Sequence, residues 1–373
     1  MSGPAPVRER LRDRMRARGA SFGVTEANLD HGYRALNFRM RGLSGIVPVR
    51  SLVVCVILAF ATIALGVTSL SMGAYELSPG QVFEALFTLD ADSRARLIVF
   101  EWRLPRLVFA VCCGIALAVS GAIFQSLTRN PLGSPDIIGF STGSYTGAIV
   151  VMLLLGSARY LDIAAGALIG GAVTAAIVYL LAVRRGTVGS FRLIIMGIGV
   201  AALLGSINSM LLLSSDVDSA MLAAVWAAGS LNGLGHEQLW PMVAMLAVLL
   251  VLVHLIVPPL RQLELGDDAA RALGIRANRV RAAAVIVGVA LTALVTAAAG
   301  PIAFVALAAP QIARRLVGGT GLVLIPSALI GAFILLGSDV TAQRLGFPVG
   351  VVTVIIGGAY LVWLLASEYR RKK

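Results

Sequence analysis

The chain has 373 residues, of which 58% are hydrophobic and only 13% charged, with a formal net charge of +12. Soluble proteins carry about a quarter charged residues, so a water-soluble globule of this size is excluded. The positive charge is no nucleic-acid footprint either, because the arginines stand beside apolar runs instead of forming a basic domain.

The first 50 residues are a basic preface in which Arg8, Arg10, Arg12, Arg14, Arg16 and Arg18 alternate with other residues. It is much longer than the basic start of a signal peptide, and the apolar segment behind it is long enough to span. The first span is therefore expected to stay as an anchor, with the N-terminus in the cytoplasm. Val7 to Ala20 reads either as a basic helix on the lipid surface or as a disordered tail. Hydropathy and breakers then place spans at 51–71, 105–127, 137–157, 162–183, 191–213, 239–259, 281–300, 302–317, 322–340 and 348–367. This pattern predicts an all-α, polytopic membrane protein of about ten transmembrane helices. It is organised as a basic segment 1–50, a membrane domain 51–368 and a basic tail 369–373. Ten spans put Arg184-Arg185, the segment 261–281, Arg314-Arg315 and the tail Arg370-Arg371-Lys372-Lys373 on the cytoplasmic side with the N-terminus.

Between the first two spans, Arg94, Arg96, Arg103 and Arg106 fall outside, against the charge rule. They either meet an acidic partner or pair locally with Asp90, Asp92 and Glu101. Cys55, Cys112 and Cys113 lie in apolar runs and read as small hydrophobes. Glycine-rich spans, with Gly166, Gly170 and Gly171 in one and Gly197, Gly199 and Gly205 in another, predict close helix packing. Ser120, Gln125, Ser206, Asn208 and Asp339 are polar positions within spans, and each should face a neighbouring helix, a cavity or an outer mouth. Pro131 and Pro135, with Gly133 between them, stop the second span and force a rigid re-entry, while Gly300-Pro301 and Pro310 interrupt a later region. Breaks of this kind persist at membrane depth only where protein or a water-lined cavity satisfies the backbone.

The outer stretch 214–238 predicts a short interfacial helix near Ala220 to Ala228, with Trp226 at headgroup depth. His31, His236 and His254 have no carboxylate or cysteine at metal-ligand spacing. The polar segment 260–280 contains a short helix opened by Asp267 and Asp268 and ended by Gly274, which is either a projecting element or a connector. No phosphate-binding loop, HExxH or paired-cysteine motif occurs, so ATP hydrolysis is not expected of this chain.

Several stretches resemble the permeases of binding-protein-dependent ABC importers for iron-siderophores, haem and vitamin B12. These are Glu101-Trp102-Arg103-Leu104-Pro105-Arg106 with GIALAVSGAIFQSLTRNPLGSPDIIGFSTGS, LGDDAARALGI, GPIAFVALAAPQIARRLVG and FPVGVVTVIIGGAYLVWLL. The stretches occur in the family's order over about 51–368, and GPIAFVALAAP with Ile194 to Gly199 is closest in style to the ferric-enterobactin branch. The resemblance implies the type II ABC importer permease fold in a bacterial cytoplasmic membrane. It implies a second permease chain, with a heterodimer favoured, two ATPase subunits holding ATP and Mg2+, and an external siderophore-binding protein. No cofactor, metal or nucleic acid is expected on this chain.

By the same resemblance, Leu265, Gly266, Asp267, Asp268, Ala269, Ala270, Arg271, Ala272, Leu273, Gly274 and Ile275 couple to the ATPase. Arg103 and Arg106, with Arg94, Arg96 and Arg344, dock the binding protein, and Ser120, Gln125, Ser206 and Asn208 border the path. Gln311 stands where the family commonly has histidine, so a titrating role there is not expected. Other cargo within the class (haem, cobalamin or another metal chelate), an ion-coupled secondary transporter and a non-transporting scaffold are the competing accounts.

Overall fold

The computed structural model describes residues 35–40, 43–73, 75–88, 93–184, 187–319 and 321–371. The arginine-rich stretch Val7 to Ala20, His31, Asp90, Asp92, Arg185, Lys372 and Lys373 lie outside the described residues. Residues 1–49 and 50–373 are separate units. In the first, β1 (Ala35–Met40) pairs antiparallel with β2 (Leu43–Pro48), from Ala35 opposite Pro48 to Met40 opposite Leu43, a hairpin the sequence reading does not anticipate.

The second unit is helical apart from a two-residue pairing of β3 (Val183–Arg184) with β4 (Thr187–Val188). After α1 (Val49–Ser71), the short α2 (Pro79–Phe87) begins with a reciprocal cap. Ser78 Oγ accepts from the Gln81 N–H at 3.2 Å, and Gln81 Oε1 accepts from the Ser78 N–H at 2.8 Å. Helix α3 (Ser93–Leu97) passes through a π-helical turn, Ile98–Arg103, into α4 (Leu104–Thr128), the most deeply enclosed helix of the first half. Then come α5 (Phe140–Ile149), extended by a π-helical turn to Leu154, α6 (Tyr160–Ala182) and α7 (Ser190–Leu213). The remaining helices are α8 (Val217–Ala227), α9 (His236–Glu264), α10 (Asp267–Ala272), α11 (Ala277–Ala299), α12 (Val305–Val317), α13 (Leu324–Leu345) and α14 (Val349–Arg371). The expected interfacial helix is α8, with Trp226 stacked on Tyr145 of α5 at 6.0 Å between ring centroids.

All ten expected spans fall on helices, but they are not equivalent. Among the described residues seven helices are long and apolar enough to cross a bilayer: α1, the run Ser93–Thr128, α6, Phe191–Leu213, α9, α11 and α13. The span expected at 137–157 is shorter, Phe140–Leu154, and that at 302–317 is the 13-residue α12. The apolar part of α14 covers Val349–Leu364. The cause of the two short helices is re-entry. A Cβ at Gly139, just before α5, would lie 2.7 Å from Ala201, halfway along α7, so α5 starts inside the bundle rather than at its edge. Phe304, just before α12, packs against Gly357 of α14 and adopts a left-handed φ of 68°.

The bundle closes around α4, which packs on α13, α11, α12 and α9. Small residues make these approaches possible, since lipid supplies no hydrophobic drive for helix association. A Cβ at Gly114 would sit 2.3 Å from the Gly331 carbonyl of α13, and one at Gly121 would sit 1.7 Å from the Ala306 carbonyl of α12. A Cβ at Gly199 would meet nothing within 4 Å. Gly121→Ala is therefore expected to destabilise the fold by about 1–3 kcal/mol, as overpacking of a tight contact does. Gly199→Ala should leave the thermal transition in detergent in place, and equal shifts in the two variants would contradict the packing argument.

Candidate functional site

At the end of the bundle where α9 finishes, α10 projects. Gly266 enters it at a φ of 115° and Gly274 leaves it at 82°, both conformations that disfavour a side chain. Leu265 and Leu273 are exposed at 70% and 60%, and Asp268 is fully open to solvent and 3.7 Å from Arg271. Ala270 is buried underneath, and the Ile275 N–H donates to its carbonyl at 2.9 Å. Ala269 and Ala272 complete the short helix.

Asp267 is different, because it faces back to the bundle. It accepts hydrogen bonds from the buried Arg281 of α11 and, at 3.2 Å, from Arg129 at the end of α4. Arg129 also donates to the Leu263 carbonyl at 2.5 Å, and Ser126 donates to Glu264 at 2.7 Å. The Arg281 hydrogen bond, with the charges of Arg281, Arg129 and Arg271, holds the Asp267 carboxyl below its ordinary value. A depressed carboxylate stabilises the fold at every pH above its unfolded value and loses that contribution only as pH falls through the folded one. The attachment is therefore constant across the neutral range.

At the opposite end, Arg106 donates to Asp339 of α13 at 2.8 to 3.1 Å and to Asn232 at 2.6 Å. Asp339 is fully buried and also accepts from Gln343 at 2.8 Å. Arg103 donates to the Leu70 carbonyl at 2.5 Å and to the Tyr75 carbonyl, tying the end of α1 to α4. The two arginines expected to be outward contacts thus have internal partners, and neither pairing is the one expected with Glu101. Arg96 lies over the Phe100 ring at 5.7 Å, and Arg344 reaches the Met72 sulfur at 3.2 Å. Arg106, Asn232, Gln343, Arg344 and Glu76 line an open polar concavity of about 790 Å³. His236 shares a hydrogen bond of 2.8 Å with the Phe100 carbonyl, and no cluster of metal-ligating side chains occurs among the described residues.

The interruptions meet each other. In the Pro131 to Pro135 re-entry the Leu132 N–H donates to Asn130 Oδ1 at 2.9 Å, and Ser134 caps the following turn through the Ile137 N–H at 3.3 Å. Asp136 Oδ1 accepts from the Ser141 hydroxyl at 2.5 Å in the first turn of α5. Its Oδ2 is buried with no protein partner. Gln311 donates to the Pro131 carbonyl at 2.6 Å, so this glutamine stitches α12 to the re-entry after α4. Pro310 is buried in α12, and Pro301 follows Gly300, whose φ is 75°.

Residues 61–367 match the FecCD transport family. The chain belongs to that family. It is 48% identical over 327 residues to the ferric enterobactin transport system permease protein FepG of Escherichia coli K12, across 87% of this chain and 98% of that protein. It is 36% identical over 330 residues to the Fe(3+)-citrate import system permease protein YfmE of Bacillus subtilis 168, across 87% and 97%. An inward-facing structure described as a metal-chelate type ABC transporter superposes with a TM-score of 0.75 at 27% identity, covering 84% of this chain and 99% of that one. The protein is a multi-pass permease subunit of an ABC importer, with no catalytic role of its own.

In this FecCD permease the four expected path residues divide into two kinds. Ser120 is fully buried and bonded to the Gly288 carbonyl at 2.7 Å and to Thr292 at 2.9 Å, while buried Gln125 donates to the Leu307 carbonyl at 2.9 Å and accepts from Arg314. Both join helices and have no opening to a path within the chain. Ser206 on α7 is exposed, and Asn208 is buried with an unpartnered Oδ1. Sequence reasoning missed Asp136, Arg129 and Arg281. Arg129 and Arg281 both meet Asp267, from 138 and 14 positions away and from different helices, so no single helical or strand period reports them. The one available signal was a carboxylate just before Gly139 and Ser141, where a helix N-terminus favours an anion.

Removing either partner of a buried pair leaves a charge without compensation. Asp339→Asn and Arg106→Ala should each destabilise the permease by about 3 kcal/mol, and the double variant should cost less than their sum. Thermal melts of the purified chain measure this; additive losses would show that the two residues do not act as a pair.

Proposed function

We propose that this permease carries a ferric siderophore of the catecholate type across a bacterial cytoplasmic membrane, using ATP hydrolysed by partner subunits. The observation that carries the cargo is the 48% identity to a ferric enterobactin permease over nearly that protein's whole length. A second, non-identical permease chain completes the path, two ATPase subunits bind below, and an extracytoplasmic siderophore-binding protein binds above. Both termini are cytoplasmic in this reading, which puts α10 on the ATPase side and the Arg106 concavity outside.

Residues 265–275 engage the ATPase. Exposed Leu265 and Leu273 supply apolar contact, and the Asp267 clamp keeps the projection from swinging freely on its two glycines. Closure of the ATPases then reaches α4 and α11 through Arg129 and Arg281, a packed two-ended connection of the kind that carries a rigid-body shift. The binding protein presents carboxylates to Arg94, Arg96 and Arg344, with Arg103 and Arg106 forming the inner border of that rim. The path runs along the outward face of α7, where Ser206 is exposed, with Asn208 behind it. Ser120 and Gln125 support it from behind as helix joints.

In proteoliposomes holding the whole importer, ATP hydrolysis should rise when binding protein loaded with a ferric catecholate is added, and rise less with citrate, hydroxamate, haem or cobalamin complexes. A larger response to another chelate would reassign the cargo. Asp267→Ala and Arg281→Ala should each lower that stimulation about tenfold, the scale of a coupling of about 1.4 kcal/mol, while basal hydrolysis persists. Full stimulation in both variants would remove the clamp from the coupling route.

A further inference from the structure

Helices α6, α9 and α11 leave between them a groove of about 690 Å³, with a wall made by Leu161, Ala164, Met242, Met245, Leu294 and Ala297. Its mouth is polar. Arg159, before the first turn of α6, and Glu237, in the first turn of α9, both line it. Arg159 is 79% exposed and only 4.0 Å from Asp162, a contact at the edge of ion pairing that leaves most of the guanidinium available. From Glu237 to Leu249 the α9 side of the groove runs twelve residues, about 18 Å at the helical rise, close to half the hydrocarbon thickness. Its depth is thus that of one lipid leaflet. A second apolar cavity of about 430 Å³, sharing Leu168 and Ala290, continues it between α6 and α11.

We propose that this groove is a binding site for an aminophospholipid, one acyl chain lying against α9 and α11 and the headgroup seated between Arg159 and Glu237. The occupant follows from the charges at the mouth. One cation, Arg159, stands with two anions, Asp162 and Glu237, so a lipid bearing only negative charge meets net repulsion. A zwitterion places its phosphate on Arg159, where the planar guanidinium suits two oxygens. Its ammonium then reaches Glu237. A primary ammonium donates hydrogen bonds to a carboxylate and a quaternary one does not, which separates ethanolamine from choline headgroups. The proposal rests on the membrane embedding alone and is independent of the cargo.

The test is native mass spectrometry of the full-length permease with its partner subunits, released from nanodiscs of equal phosphatidylethanolamine, phosphatidylcholine and phosphatidylglycerol. Phosphatidylethanolamine should be retained on this subunit about fivefold above either competitor, as expected of an exposed ion pair worth about 1 kcal/mol. Glu237→Gln, an exposed substitution, should bring phosphatidylethanolamine down to the level of phosphatidylcholine. Ala164→Phe should lower retention of every lipid by filling the groove. Lipids retained in their bulk proportions by the wild type, no retention at all, or a preference unchanged in Glu237→Gln would each overturn the proposal.

Discussion

No backbone group inside the hydrocarbon can be left to the lipid, and the two interruptions of this bundle meet that constraint through bonds to neighbouring protein groups. A helix N-terminus exposes four N–H groups, and each one buried without a partner costs about 1 to 3 kcal/mol. Helices α5 and α12 both begin inside the protein, so both bring such groups into the bundle. At the head of α5 the Phe140 N–H donates to the Pro135 carbonyl and the Gly139 N–H to the Asp136 carbonyl, each at 3.1 Å, while Asp136 Oδ1 accepts from the Ser141 hydroxyl at 2.5 Å. A carboxylate beside the first turn of α5 also interacts favourably with that helix's peptide dipole. Gln311 closes the arrangement from the other direction by donating to the Pro131 carbonyl. The prolines create the breaks, and these polar contacts make them sustainable.

The same logic appears at both ends of α4. Arg106, in its first turn, holds buried Asp339 of α13, and Arg129, just past its last turn, holds Asp267 of α10. The two arginines are 23 positions apart, about 35 Å along a helix. Between them α4 is wedged at Gly114 and Gly121 against the backbones of α13 and α12, with no space for a single methyl group. A helix so fixed moves as a rod or not at all, since packed interiors do not deform continuously. The Arg106 end of the bundle and the projecting α10 are therefore joined by one rigid helix.

The fold class and the positions of the ten apolar helices were legible, because hydropathy, glycine and proline act over short stretches, whereas the short α2 and α3 were not. The helix at 267–272 could be read from Asp267, Asp268 and Gly274 alone, since helix ends obey local rules. The span count was less so. Hydropathy sees that 137–157 is apolar but not that Gly139 packs beside Ala201 and the helix begins only at Phe140, so the helix is shorter than its apolar stretch. The arginines at 103 and 106 show the second limit. Their violation of the charge rule was visible, but Asp339 lies 233 residues from Arg106, and no sequence period connects them. For Ser120 and Gln125 the sequence left a neighbouring helix, a cavity or an outer mouth open, and the bonds that join them to α11 and α12 needed coordinates.

The bonding of those two residues also closes the volume around them. A wet path needs polar groups with hydrogen-bonding capacity left over, and the hydroxyl of Ser120 and the amide of Gln125 are committed to α11, α12 and Arg314. The volume they occupy is closed by Phe124, whose ring lies where a Cβ on Gly288 would come within 2.7 Å. Opening a route there would strand two polar groups, at about 1 to 3 kcal/mol each, and undo the packing of α4 as well. On α7 the conditions are reversed. Ser206 and Ser209 bond only to carbonyls one turn back, Gly199 and Gly205 have open space where a side chain would be, and the helix keeps a broad uncovered face. The face of α7 therefore keeps room that can change without breaking the core, which the volume around Ser120 and Gln125 does not.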